Sequence, residues 1–170
     1  MKETRQGDEQ KLIRTYRSED LEKVIALHAE LYRRERGYDD SFVRFVEEGI
    51  RDFGNRNAKA REQLWVVDQA GRHSGSVGIT RLDEETAQLR WFLLDPSVRG
   101  HGFGRGLMVQ AIAFCRECGY ASIVLWTNAE LEAARALYAN FGFRLAESRS
   151  AFLSGRMLQE EMWQKQLLSH

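Results

Sequence analysis

Leu93-Leu94-Asp95-Pro96-Ser97-Val98-Arg99-Gly100-His101-Gly102-Phe103-Gly104 is the stretch on which the reading of this sequence turns. It follows an alternating run, Thr86 to Leu94, and precedes Leu107, Met108, Ala111, Ile112 and Cys115 at helical spacing. A period of two that changes to 3.6 across a glycine-dense loop predicts a strand, a tight turn and a helix. In the strand, Ala87, Leu89, Trp91 and Leu93 would face one way and Gln88, Arg90, Phe92 and Leu94 the other. The first N–H groups of a helix lack intrahelical acceptors, and the helix dipole adds partial positive charge. Glycines let a ligand approach those groups closely, and Arg99 and Arg105 bring full charges. The guest that suits such a loop is a phosphate or pyrophosphate.

Several phosphate ligands are excluded by spacing. The dinucleotide fingerprint G-x-G-x-x-G fails, because its last position falls on Arg105 or Leu107. No Gly-Lys-Ser/Thr is present, so the Walker pattern for ATP fails too. Gly100-x-Gly102-x-Gly104 matches the short glycine motif of S-adenosylmethionine-dependent methyltransferases. Those enzymes, however, place it after an early strand and end the next strand on an acid. Here the next strand ends Leu125-Trp126-Thr127-Asn128.

Working outward, Leu12 to Arg17 reads as a short strand, with Ser18 as the N-cap of a helix whose apolar face is Leu21, Val24, Ile25, His28, Leu31 and Tyr32. Gly37 stops that helix. A second starts near Asp40, buries Phe42, Phe45, Val46, Ile50 and Phe53, and stops at Gly54. Strands follow at Leu64 to Asp68 and Ser74 to Leu82. Beyond the glycine loop and its helix come a buried strand, Ala121 to Trp126, and a helix with Thr127 and Glu130 at capping-box spacing. Its stripe is Leu131, Ala134, Leu137, Tyr138 and Phe141. Phe143 to Ser148 and Met157 to Leu167 read as closing strands. The order β-α-α-β-β-β-α-β-α-β-β predicts an α/β (α+β) domain. Its mixed, mostly antiparallel sheet would have six to seven strands flanked by about four helices.

Composition narrows the partners. The 170 residues carry 25 basic and 25 acidic side chains, so no cationic excess favours nucleic acid or an anionic membrane. Residues 1–10 read as a polar tail, without an apolar signal core, before a single domain over 11–170. Apolar runs such as Trp91 to Leu94 and Ile123 to Trp126 are too short to cross a bilayer. Two cysteines, Cys115 and Cys118, make no disulfide framework, and a cytoplasmic protein with reduced thiols is expected. Their C-x-x-C closes a helix rather than opening one, which argues against redox chemistry, and no metal is expected.

Arg99-x-x-Gly102-x-Gly104 after a strand resembles the acyl-CoA signature of the GNAT family of N-acetyltransferases. Ala133-Ala134-Arg135-Ala136-Leu137-Tyr138-x-x-Phe141-Gly142-Phe143 is similar to that family's second signature, in the right order and on the right element. Leu125-Trp126-Thr127 and Met162-Trp163 are similar to the branch found fused to winged-helix regulators. The resemblance implies the acyl-CoA N-acyltransferase fold and acetyl-CoA as co-substrate. It also implies a small-molecule or peptide amine acceptor, and dimers are common in the family. The main chain of Phe92, Leu93 and Leu94 would bond the pantetheine arm, and residues Arg99, Gly100, His101, Gly102, Phe103, Gly104 and Arg105 the pyrophosphate, mostly through backbone N–H groups. Ala134 would lie beside the arm. Leu131 stands where many relatives have Asn, and Asn128, one turn earlier, is the substitute. Tyr138 would be the catalytic acid beside the sulfur. The general base is not visible: Glu30, Glu47, Glu48, Glu84 and Glu85 read as solvated, a water chain serves equally well, and His28 reads as a core histidine. Trp91 and Trp126 are candidates for the border of the acceptor pocket. An acyl-CoA-binding sensor that does not catalyse remains the alternative on the same fold.

Overall fold

The computed structural model describes residues 12–56 and 60–167, so the expected tail at 1–10 lies outside the described residues. Strand β1 (Ile13–Thr15) leads into helix α1 (Asp20–Arg36), and Gly37 closes it in the left-handed conformation, its N–H bonded to the Arg33 carbonyl. Ser18 is not the cap that its position suggests. The α1 N-terminus is held instead by Asp20, whose buried carboxylate accepts the Arg17 N–H at 2.6 Å and both ends of the Arg14 guanidinium at 2.7 and 3.0 Å. Helix α2 (Asp40–Asn55) is capped by Asp39, whose carboxylate accepts the Ser41 N–H, and it runs one residue past Gly54.

Three strands then run antiparallel: β2 (Gln63–Gln69), β3 (Arg72–Arg81) and β4 (Thr86–Leu94). After a short 3-10 turn at Pro96–Val98 come α3 (Phe103–Glu117), β5 (Ser122–Asn128), α4 (Glu132–Asn140), β6 (Arg144–Leu153) and β7 (Arg156–Gln166). The sheet order is β1-β2-β3-β4-β5-β7-β6, and β4–β5 is its one parallel pair among the described residues. Parallel neighbours need a crossover connection, and the segment that contains α3 supplies it. β6 extends to Leu153, past the expected end at Ser148, because β7 pairs with it to the hairpin tip.

The sheet separates two apolar layers. On one face α3 packs Leu107, Met108, Ala111, Ile112 and Cys115 onto Val77, Ile79, Leu89, Ile123 and Leu125. On the other, α1 and α2 pack Val24, Ile25, Ile50 and Phe53 onto Leu64, Val66 and Trp91. Burial pushes the Cys115 thiol up to about 12, so at neutral pH it stays protonated in this core.

His28 lies in the α1 layer with Nδ1 at 2.8 Å from the Val24 carbonyl, and burial pulls its pKa from 6.5 down to about 4. Between those values the unfolded chain takes up a proton that the folded chain refuses. The stability due to this group is therefore complete above pH 6.5 and falls by about 3 kcal/mol as pH drops to about 4. A His28→Leu variant is expected to lose less stability than the parent between pH 7 and 4.5, read by denaturant titration. Equal losses would remove His28 from the acid response.

Candidate active site

β4 and β5 touch only at their start. Thr86, Ala87 and Gln88 pair with Ser122, Ile123 and Val124, and beyond Gln88 the two strands part. The edge of β4 from Leu89 to Leu94 that faces β5 is thus left without a strand partner. The opening coincides with a β-bulge. Gly78 stands opposite Arg90 and Ser76 opposite Leu93, so β4 carries one residue more than β3, and Trp91 takes a φ of 53°. The Ser76 hydroxyl donates to the Trp91 carbonyl at 2.7 Å and satisfies it.

This bulge overturns the simple alternation of the strand. Ala87 and Leu89 face α3 as expected, but Trp91 and Leu93 face α1 and α2, while Phe92 and Leu94 pack on the α3 side. One inserted residue flips the phase of everything after it. The sequence does carry a signal for the bulge in Gly75 and Gly78 of the facing strand. A Cβ on Gly78 would lie 2.4 Å from Trp91 Cε3, so only a hydrogen fits there.

From the open edge the chain enters the glycine loop. Gly100 and Gly102 take φ of 79° and 89°, the left-handed region that an L side chain resists. The first α3 bond runs from the Gly106 N–H to the Gly102 carbonyl, and the N–H groups from Gly100 to Arg105 have no acceptor among the described residues. They form one band of donors at a helix start. Arg99 does not add free charge to it. Its guanidinium donates to Glu35 at 2.9 and 3.2 Å and to the Leu94 carbonyl at 3.0 Å, tying the end of β4 to α1. Arg105 has no carboxylate partner among the described residues and lies 5.3 Å from the Phe141 ring. The Phe103 side chain is core, and that of His101 is exposed.

The far wall of the opening is β5 and α4. Tyr138 is 5% exposed, edge-on to Phe92 with ring centroids 6.0 Å apart, and tilted against Phe143. Burial pushes its phenol far above the ordinary value, so it holds its proton throughout the neutral range. Ala134 is half-buried against the main core on the same helix. The capping box does not form. Thr127 and Asn128 belong to β5, paired with Glu161 and Glu160, and the N-cap is Leu131, which offers no side-chain acceptor. Cross-strand partners share a face, and Glu161 is gripped by Arg135 of α4 at 2.7 Å, so Thr127 faces α4 as well. Its hydroxyl is buried without a partner among the described residues. Such a group costs about 1–3 kcal/mol unless something meets it, and no sequence signal singled it out.

Asn128 is already engaged. Its amide donates to the Tyr38 hydroxyl at 2.8 Å, and its carbonyl accepts the Glu130 N–H. Glu130 also accepts from Arg156 at 2.5 Å, so this network joins the α1–α2 loop, the β5–α4 loop and the β6–β7 tip. Among the acids considered as bases, Glu30 pairs with Arg34, Glu47 with Arg51, and Glu84 with Arg61 and Arg81.

A family model described as "Acetyltransferase (GNAT) family" matches residues 25–143. An uncharacterised N-acetyltransferase of Methanocaldococcus jannaschii is 25% identical over 141 residues, 79% of this chain and 61% of that protein. The N-acetylaspartate synthetase of Danio rerio is 36% identical over 82 residues, 48% of this chain and 29% of its own length. The matches thus span less than two thirds of these relatives' own length. Among solved structures, a ribosomal-protein-alanine N-acetyltransferase from Brucella melitensis superposes with a TM-score of 0.75 at 23% identity, covering 92% of this chain and 99% of that one. The YncA protein of Salmonella typhimurium, solved with its cofactor acetyl-CoA, gives 0.76 at 19% identity, covering 93% and 94%.

Proposed function

The chain belongs to the acetyltransferase (GNAT) family, and we propose that it moves the acetyl group of acetyl-CoA to a primary amine by direct attack of the amine on the thioester. One juxtaposition carries this reading: an unpaired β4 edge running straight into a band of free N–H groups. An extended arm bearing amides suits the first, and the diphosphate at its end suits the second. The buried Thr127 hydroxyl, orphaned on the α4 side, offers one more polar contact to an arm lying there.

Acetyl-CoA supplies an activated acyl carbon on a thiol leaving group. The chain supplies position and protons. The main chain of Phe92, Leu93 and Leu94 holds the arm, the loop from Gly100 to Arg105 holds the phosphates, and Arg105 adds charge. The amine nitrogen bonds to the acyl carbon as the C–S bond breaks. Tyr138 gives its proton to the departing sulfur and regains one from solvent, and the new ammonium loses its proton to water. An alkyl amine with a pKa near 10.4 costs about 4.6 kcal/mol to deprotonate at pH 7, which the site must lower or solvent must bear. The names of the relatives point to different acceptors.

CoA titrated into isotopically labelled protein is expected to move the amide signals of Gly100 to Arg105. Unmoved signals would sink the reading. Arg105→Ala is expected to weaken CoA binding roughly three- to tenfold by calorimetry, less at high salt, because an exposed cation on a phosphate is screened. Thiol release with a panel of amines tests transfer itself. Binding without release would make the protein an acyl-CoA sensor.

A further inference from the structure

Arg14, Arg56, Arg99 and Arg135 each grip a carboxylate: Asp20, Glu62, Glu35 and Glu161. Arg90 does not. Its guanidinium is half-buried, lies 4.4 Å over the Trp91 ring, and has no hydrogen-bond or ion-pair partner among the described residues. Three charged groups act on it. Glu62 is forked by Arg56 and accepts the Arg81 N–H, Asp52 stands exposed on α2, and Arg56 repels. Burial, with that repulsion, pulls its pKa below the usual arginine value. A cation kept partly out of water, near Glu62 and Asp52 but hydrogen-bonded to neither, is costly, and a carboxylate that it could grip directly would relieve that cost.

Its position says where that ligand lies. Arg90 follows the last β4–β5 pair by two residues, at the level of Trp126, where the strands have parted. The bulge turns both Arg90 and Trp91 toward α2. There Gly49 leaves the space: a Cβ on it would stand 2.5 Å from Arg90 Nη2. A glycine inside an apolar helix stripe is unfavourable by up to about 1 kcal/mol relative to alanine, and this close approach accounts for it. Trp126 shares a face with Asn128, which meets the α1–α2 loop through Tyr38, so Trp126 borders the same side and is 36% exposed. Phe45, one helical turn before Gly49, is 65% exposed. Phe92, where the proposed arm begins, is two residues further along β4, roughly 7 Å. A guanidinium stacked on Trp91 therefore lies on the α1–α2 side of the sheet at the level where β4 and β5 part, opposite the α4 wall that carries Tyr138.

From this geometry we infer that Arg90 binds the carboxylate of the acceptor, so that the amine acetylated is that of a free amino acid. The inference rests on the acetyl-transfer reading above. The planar fork of arginine pairs with a carboxylate through two parallel hydrogen bonds, and anchoring that end aims the amine along β4 toward the thioester. Arg90 is thus a specificity residue that touches the acceptor and takes no proton.

The test compares matched acceptors: leucine, glutamate and lysine against their α-carboxamides, with phosphoethanolamine as a phosphate-bearing amine. The parent is expected to favour at least one free acid over its amide by about 100-fold in kcat/KM. Arg90→Met should cut that preference to within threefold by raising the acceptor KM, with the KM of acetyl-CoA unchanged, and Arg90→Lys should restore part of it. Thermal melts identify any variant that fails to fold, and Arg90→Gln then replaces it. Calorimetry provides a second readout: N-acetyl amino acids titrated into the CoA complex should bind the parent more tightly than their amides, and bind Arg90→Met equally weakly. Equal use of acids and amides by the parent, an intact preference in the variants, or preference for phosphoethanolamine would overturn the inference. Carboxylate-selective binding without any thiol release would uphold the Arg90 site while sinking the transfer reading.

Discussion

Tyr138→Phe is expected to lower kcat about 100-fold while the KM of acetyl-CoA stays within about twofold. The magnitude follows from the role: a positioned general acid contributes about 10²–10⁴-fold, and the lower end applies because a CoA thiolate is a tolerable leaving group without help. The substitution removes one hydroxyl and leaves the ring, which is wedged between Phe92 and Phe143, so packing and cofactor position are kept. Burial holds the phenol protonated, and the fall in kcat should therefore persist from pH 6 to 9 rather than vanish at the alkaline end. Thiol-release kinetics with saturating amine, together with calorimetry for CoA, decide it. An unchanged kcat would leave Tyr138 as one more core aromatic. A large loss of CoA affinity would make it a binding residue instead.

Gly78→Ala is expected to destabilise the fold by roughly 2–3 kcal/mol, a large share of what a domain of this size holds in reserve. The new methyl would stand 2.4 Å from one atom of the Trp91 ring and 2.9 Å from the next. The ring is hemmed in, with Phe53 at 5.7 Å and Arg90 stacked on it. Relief requires Trp91 to leave or β3 to separate from β4, and either movement disturbs the bulge beside the unpaired β4 edge. CoA affinity should therefore fall together with the denaturation midpoint. In a Trp91→Leu background the same substitution should cost less than about 1 kcal/mol, because the clash is with that ring alone. Full additivity of the two changes would show that the ring is not what demands the glycine.

The two signatures were legible because each is local. The spacing Arg99-x-x-Gly102-x-Gly104 needs only a strand end and a helix start, and both are written in hydrophobic periods over a few residues. The element order held for the same reason, down to the left-handed stops at Gly37 and Gly142. The capping box misled because Thr127 and Glu130 have helix-start spacing. β7 pairs with β5 as far as Asn128 and draws Thr127 into the sheet, so pairing overrode the local preference. Alternation in β4 failed at Trp91 because a bulge is decided by two strands, and its one trace in the sequence lay in β3.

On its own, then, the sequence determined which elements form, in what order, and where a glycine-rich turn enters a helix, since neighbours within a few positions settle these matters. The tertiary structure alone decided the parting of β4 from β5, the capture of Arg99 by Glu35 across 64 positions, and the placement of Arg90 over Trp91 without a bonded carboxylate. Each of these depends on which distant side chain supplies or withholds a charge or a hydrogen bond, and a linear pattern carries no record of that.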